Sequence, residues 1–358
     1  MVSNASPWDN LKFNIEGLDE VRRKFFGTLH NTYAFFALYA NIDRFSYQEA
    51  DIALNDRPEI DRWILSLLNS LTQEVDGYYA DFEPTNAARA IQNFVDEHLS
   101  NWYVRLCRRR FWKGDYSTDK ISAYQTLYTC LNTVVKLMSP IAPFFSDHLF
   151  LDLNAVTGKE HVESVHLANF PSYQSEYVDL VLEERMTLAQ NISSMVLSLR
   201  KKVGINVRQP LNKILLPVLD DSFRIQVEQV KDLILSETNI KQIEYIHDTS
   251  GIIRKKIKPN FKALGPKVGK DMKMVADTIM GLSQNQILQF EKEGQFTIPD
   301  TPYSVQMEDV ELIAEDVPGW QVANLGNLTV ALDITLTEEL KQEGIARELV
   351  NRIQNLRK

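Results

Sequence analysis

The sequence predicts a multi-domain protein in which an all-α helical bundle is followed by small α+β domains. Three observations carry that expectation. A chain of 358 residues exceeds what one core ordinarily serves. Apolar residues recur at three- and four-residue steps through the first half, the period of an amphipathic helix. In the second half short β-rich runs alternate with single helices, the pattern of an α+β arrangement. With 44% hydrophobic and 10% aromatic residues the chain can bury ordinary cores.

From about Gly17 to Phe150 the chain reads as helix after helix. Ile64, Leu67, Leu68, Leu71, Val75 and Tyr78 form one such stripe. Asp81-Phe82-Glu83-Pro84-Thr85 breaks it, because Pro84 can open a helix and cannot continue one. Gly114 to Ser117 closes the next helix, Pro140 and Pro143 interrupt another, and the pattern fails near Gly158. Four to five long helices with short connections predict side-by-side packing in a bundle. Val165 to Pro171 reads as an irregular tail.

The remainder opens with a long helix from about Glu176 to Lys202. Strands are expected at Lys213–Val218, Gln242–His247 and Gly251–Ile257, with helix from Phe223 to Leu235 between the first two. A helix-rich stretch from Val268 to Phe290 precedes strands at Gln295–Ile298, Glu311–Ala314, Gln321–Ala323 and Leu328–Ile334. Thr337 caps a last helix whose first turn holds Glu338 and Glu339, where the helix dipole favours acids. No stop signal follows, so a continuing chain is expected there.

Several function classes are disfavoured. No apolar run approaches the roughly 20 residues that span a bilayer, and the first residues lack the basic-then-apolar pattern of a signal peptide. A cytoplasmic location is expected by default. Cys107 and Cys130 lie in helical stretches, too far apart for a zinc knuckle. The six histidines are dispersed, and no Walker, dinucleotide, zinc-protease or nucleophile-elbow motif is present. No catalytic residue and no metal ligand is expected.

The net charge of −9 argues against a polyanion partner, but the charge is segregated. Arg254–Lys273 holds eight bases and one acid, and Ser283–Asp316 holds eight acids and one base. Arg200–Lys213 carries five bases and no acid. Within Leu99–Lys113, a helical phase of 100° per residue sets Ile91, Val95, Trp102 and Leu106 on one core-facing stripe. Arg105 and Arg109 lie beside that stripe and Arg108 points outward. Arginines interleaved with aromatics suit phosphates and unpaired bases. Helix-end stabilisation and core filling explain them somewhat better when the segment is taken alone. The second segment, Arg254 to Lys270, reads as a loop between strand and helix, with Lys267 and Lys270 at the N-terminal side of that helix. It is either a phosphate-contact surface or a solvated basic face.

These segments also carry a resemblance. Pro7-Trp8-Asp9-Asn10-Leu11-Lys12-Phe13, Lys24 with Asn31-Thr32-Tyr33-Ala34-Phe35-Phe36, Asp61-Arg62-Trp63-Ile64-Leu65, Asn101-Trp102-Tyr103-Val104-Arg105 with Arg108-Arg109-Arg110, and Met138 to Phe145 follow one another as in class I aminoacyl-tRNA synthetases. Val207-Arg208-Gln209-Pro210-Leu211, Lys258 to Gly265 and Arg347 to Arg352 resemble the isoleucyl enzymes in particular. Phe170-Pro171 departs from the family's usual Trp-Pro.

The resemblance implies a linker from an absent catalytic domain over 1–16, an anticodon-binding bundle over 17–175, and a tRNA-contacting α+β region over 176–358. It implies tRNA(Ile) as partner, no membrane, a monomer, and no cofactor in this chain. ATP and magnesium would serve the absent catalytic part, since the HIGH and KMSKS signatures and the editing domain are missing. The missing C-terminal zinc site resembles the subtype shared with eukaryotic cytosolic enzymes. The implied tRNA contacts are Trp102, Arg105, Arg108, Arg109, Lys113, Arg208, Lys255, Lys256, Lys258, Lys262, Lys267 and Lys270. Two readings compete with this one: the same module of a valyl enzyme, and a helical protein-interaction adaptor whose basic strips meet an acidic protein.

Overall fold

A computed structural model describes residues 15–218, 220–246, 254–299, 301–315 and 319–357. Pro7–Phe13, most of the expected 1–16 linker and His247 lie outside these residues. The chain forms two compact units, Met1–Glu183 and Glu184–Lys358, dividing a few residues beyond the boundary expected at 175.

The first unit is the expected bundle. Helices α1 (Ile15–Val21) and α2 (Gly27–Asp43) are joined by a π-helical turn at Arg22–Phe26. Helix α3 (Glu59–Ala80) ends where Asp81 was expected to break it, and α4 (Pro84–Asn93) starts on Pro84. The chain then winds as a π-helix from Phe94 to Val104 before returning to α5 (Arg105–Trp112). Helix α6 (Thr118–Met138) is capped by Ser117, and α7 (Pro143–Thr157) ends on Gly158 at φ +60°. That positive φ is the left-handed conformation a glycine adopts without a Cβ penalty.

Leu29, Phe36, Trp63, Leu68, Val95, Leu99, Tyr124, Leu131 and Val134 are buried in the core. At one end of the bundle the Tyr79 hydroxyl donates to the Leu137 carbonyl at 2.9 Å, tying the last turns of α3 and α6 together. At the other end Arg110 of α5 reaches Asp61 in the first turn of α3.

The second unit begins at Glu184, within α8 (Leu180–Lys202), a helix shorter at its start than expected. Strands β1 (Leu211–Pro217) and β2 (Ile240–Ile246) pair in parallel across a helical crossover. That crossover is broken at Val230 into α9 (Asp221–Gln229) and α10 (Lys231–Thr238), rather than forming one helix. Next come β3 (Arg254–Pro259), α11 (Phe261–Val268), α12 (Met272–Met280), α13 (Gln284–Glu293), β4 (Gln295–Thr297) and β5 (Ser304–Gln306). Strands β6 (Val310–Glu315), β7 (Trp320–Leu325) and β8 (Leu328–Asp333) and helix α14 (Glu338–Leu356) follow.

One sheet has the order β2-β1-β8-β7, with β8 antiparallel to both neighbours. The pairs β3–β6 and β4–β5 stand apart from it and share a separate core of Ile257, Leu264, Val275, Ile279, Phe290 and Val305. Thr337 caps α14 as expected, accepting from the Leu340 amide. Among the described residues no helix is long and apolar enough to cross a membrane.

Candidate nucleic-acid interface

Helix α5 presents the arginines because its opposite face is committed to the core. Cys107 and Phe111 are buried there, and the π-helical stretch before it buries Phe94, Val95, Leu99, Trp102, Tyr103 and Val104. A π-helix closes its hydrogen bonds one residue later than an α-helix, so more side chains per turn reach the bundle. Ile91, Val95 and Trp102 are buried as the 100° phase predicted, and Leu106 is half-buried. Trp102 is only 9% exposed, so its ring is a core element. It offers no free face to a base, and this corrects its place among the expected contacts.

Arg105, Arg108, Arg109 and Lys113 are all exposed. Arg105 donates to the Asn101 carbonyl at 2.7 Å and lies 6.0 Å from the centre of the Trp102 ring. Arg108, Arg109 and Lys113 form no ion pair or side-chain hydrogen bond among the described residues. The third arginine of the run is different. Arg110 grips the fully buried Asp61 with both terminal nitrogens, at 2.6 and 2.8 Å, and also reaches Asp119 at 3.0 Å.

Tyr103 and Ser122 donate to the same Asp61 carboxylate at 2.8 and 2.6 Å. Burial works against the Arg110 charge, but the bonds to Asp61 outweigh it and raise its pKa. Burial pushes the Tyr103 phenol well above its ordinary value, and the Asp61 charge adds to that. Arg110 therefore holds α5 in place, while Arg108 and Arg109 face solvent.

Sequence reasoning missed Trp112, the last residue of α5, which is 60% exposed. Helical phase alone could have found it. Seven residues at 100° put Trp112 about 20° from Arg105 and four put it about 40° from Arg108, off the core stripe.

In the second unit the basic strip is rebuilt rather than a single loop. Strand β3 runs to Pro259, and α11 begins at once, capped by the Asn260 side chain on the amides of Lys262 and Ala263. Lys256 and Lys258 lie on the exposed face of β3, alternating with buried Ile257 and Pro259. Lys262 is exposed in the first turn of α11, beside Phe261, which is 62% exposed. The side chain of Lys255 lies outside the described ones.

Lys267 is in the last turn of α11, not at a helix start, and its ammonium is held by Asp309 at 2.7 Å and Glu308 at 3.0 Å. Its hydrogen bond to Asp309 leads the causes that raise its pKa. Lys270 is exposed in a short 3-10 turn ahead of α12. Arg208 is paired with Glu348 at 3.3 Å. Lys267 and Arg208 are thus engaged by the chain's own carboxylates, which removes them as free phosphate contacts. Lys258, Lys262 and Lys270 have no such partner among the described residues.

A polar cleft of about 430 Å³ in the first unit is lined by Tyr47, Arg57, Asn69, Thr133 and Lys136. Its two cations are already used. Arg57 donates to Thr126 at 2.7 Å and to the Ile52 carbonyl at 3.0 Å, and Lys136 pairs with Glu160. Among the described residues no cluster of three or more histidine, cysteine or carboxylate groups could hold a metal ion.

Residues 61–215 match a family described as "Anticodon-binding domain of tRNA ligase". The match begins at Asp61, the buried partner of Arg110, and ends within β1. The chain is 58% identical over its whole length to an isoleucine–tRNA ligase of Bacteroides fragilis, covering 32% of that protein. It is 58% identical to the enzyme named so in Porphyromonas gingivalis, again over all of this chain and 31% of that protein. The Clostridium tetani relative is 36% identical over 99% of this chain and 34% of its own length. The chain therefore spans about a third of these relatives.

Proposed function

We propose that this chain, which carries the anticodon-binding domain of tRNA ligases and corresponds along its length to about a third of an isoleucine–tRNA ligase, is the part of such an enzyme that grips tRNA(Ile). The observation that carries the reading is that Arg108 and Arg109 have no carboxylate partner among the described residues, on a helix whose Arg110 is locked into the core. An exposed guanidinium without a carboxylate suits a phosphate, and a single-stranded loop offers phosphates together with unstacked bases. In the second unit Lys258, Lys262 and Lys270 would meet backbone phosphates, independent of base identity. Attachment of isoleucine, with its ATP and magnesium, belongs to the remaining two thirds of such an enzyme. This chain by itself binds without catalysing.

The test is a titration of the chain with fluorescent tRNA(Ile) and with the same tRNA carrying a changed anticodon, at several salt concentrations. Tighter binding of the unaltered tRNA, weakening as salt rises, is expected. Arg108→Ala with Arg109→Ala should lower affinity and flatten the salt dependence by about 0.7–0.9 log units per lost phosphate contact. Equal affinity for both tRNAs would remove the anticodon-reading role. Unchanged affinity in the double variant would return the two arginines to structure.

A further inference from the structure

Within the tRNA-binding reading, on which this inference rests, we propose that Trp112 is the platform on which an unpaired nucleobase stacks. Three features of α5 converge on it. The indole is 60% exposed, while the helix's other aromatic ring, Phe111, is buried. It lies on the same helical face as Arg105 and Arg108, and Lys113 follows it directly. Arg108, Arg109 and Lys113 remain unpaired among the described residues. A nucleotide whose phosphate meets Arg108 or Arg109 can lay its base on the ring one helical turn further along.

A flat aromatic face flanked by cations is the arrangement that single-stranded nucleic acids use, because every base has a π-face and every linkage a phosphate. The other strongly exposed aromatics of this unit lack that setting. Phe82, 84% exposed, sits between Asp81 and Glu83, whose charges repel phosphate. Phe144, 90% exposed, has no basic neighbour within three residues in the chain. Trp102, the nearest other tryptophan in sequence, is enclosed in the core.

The experiment follows intrinsic tryptophan fluorescence while an anticodon stem-loop RNA of tRNA(Ile) sequence is added to the whole chain. The wild-type emission is expected to quench on binding. Trp112→Phe should abolish most of that quench while retaining much of the affinity, since phenylalanine still stacks. Trp112→Ala should lower affinity about tenfold or more. Stacking releases no counterions, so the alanine defect should persist at high salt while that of Arg109→Ala shrinks. Because the ring is exposed, both variants should keep the wild-type circular dichroism.

If the RNA binds and responds to loss of Arg108 and Arg109, yet Trp112→Ala binds normally or the quench survives in Trp112→Phe, the stacking role is overturned and the wider reading stands. If the wild-type chain binds no RNA, the wider reading fails and takes the stacking role with it.

Discussion

Asp61 and Arg110 form a two-pronged ion pair in which the carboxylate has no solvent exposure and the guanidinium is 15% exposed. The pair joins the first turn of α3 to the last turn of α5, fixing the helix that carries the free arginines. Asp61 also takes bonds from Tyr103 and Ser122. Removing Arg110 leaves a buried negative charge with neutral donors only. Arg110→Ala is therefore expected to cost about 3–5 kcal/mol in urea unfolding. Arg110→Lys, which keeps the charge but loses the fork, should fall between that and wild type. A loss below about 1 kcal/mol, the worth of an exposed pair, would refute the structural role.

Lys267 gives the converse prediction. Its ammonium is the cationic partner of Asp309, a carboxylate with no exposure in the 3-10 turn just before β6. Lys267→Ala should lower the thermal midpoint of the second unit and leave tRNA affinity unchanged. Lys258→Ala with Lys262→Ala should do the reverse, weakening binding and its salt dependence while leaving the midpoint alone. A thermal and binding profile for Lys267→Ala that matches the Lys258 and Lys262 variant would show that the ion pair opens when RNA arrives.

The bundle was legible because its signals are local. Pro84, Pro143 and Gly158 stop or start helices by their own backbone chemistry, and the apolar period of α3 needs no knowledge of partners. The π-helical stretch was not legible. Shifting hydrogen bonds by one residue depends on what packs outside the helix, not on the propensity of Phe94 to Val104. The parallel pairing of β1 with β2 and the three-residue β5 rest on non-local partners in the same way. At the site, composition drew attention to α5, and the helical phase that set Trp102 on the core stripe was not carried on to Trp112, which is 60% exposed. The engagement of Lys267 by Glu308 and Asp309, and of Arg208 by Glu348, spans 41, 42 and 140 residues. No reading of local charge could reveal those pairs.

The two thiols should be inert while the chain is folded. Cys107 and Cys130 are 1% and 0% exposed, and burial pushes the Cys107 thiol up to about 12 and the Cys130 thiol higher still. A chromogenic disulfide reagent at about pH 8 should label neither in native buffer and both in denaturant. Their folded values lie above the unfolded value. The stability they contribute is complete below about pH 9, the ordinary thiol range, and fades as pH rises toward 12. Cys107→Ala should therefore flatten the alkaline loss of stability between those limits. Rapid labelling of native protein would contradict the packing around α5 and α6.

Helix α14 is held to its unit through a glycine. A Cβ added to Gly344 would lie 2.1 Å from Oε1 of Gln209 and 2.7 Å from its Cδ. That carboxamide cannot simply swing away, because its nitrogen donates to the Leu340 carbonyl at 2.6 Å and to the Pro210 carbonyl at 3.1 Å. Gly344→Ala must break those bonds or lift the helix, although alanine is the better helix former. A net loss of about 1–3 kcal/mol is expected, as for other overpacked sites. Adding Gln209→Ala removes the clash at the cost of two hydrogen bonds, so the double variant should lose less than the sum of the singles. Strict additivity in urea unfolding would mean that the glycine and the glutamine do not touch, and that α14 docks by some other contact.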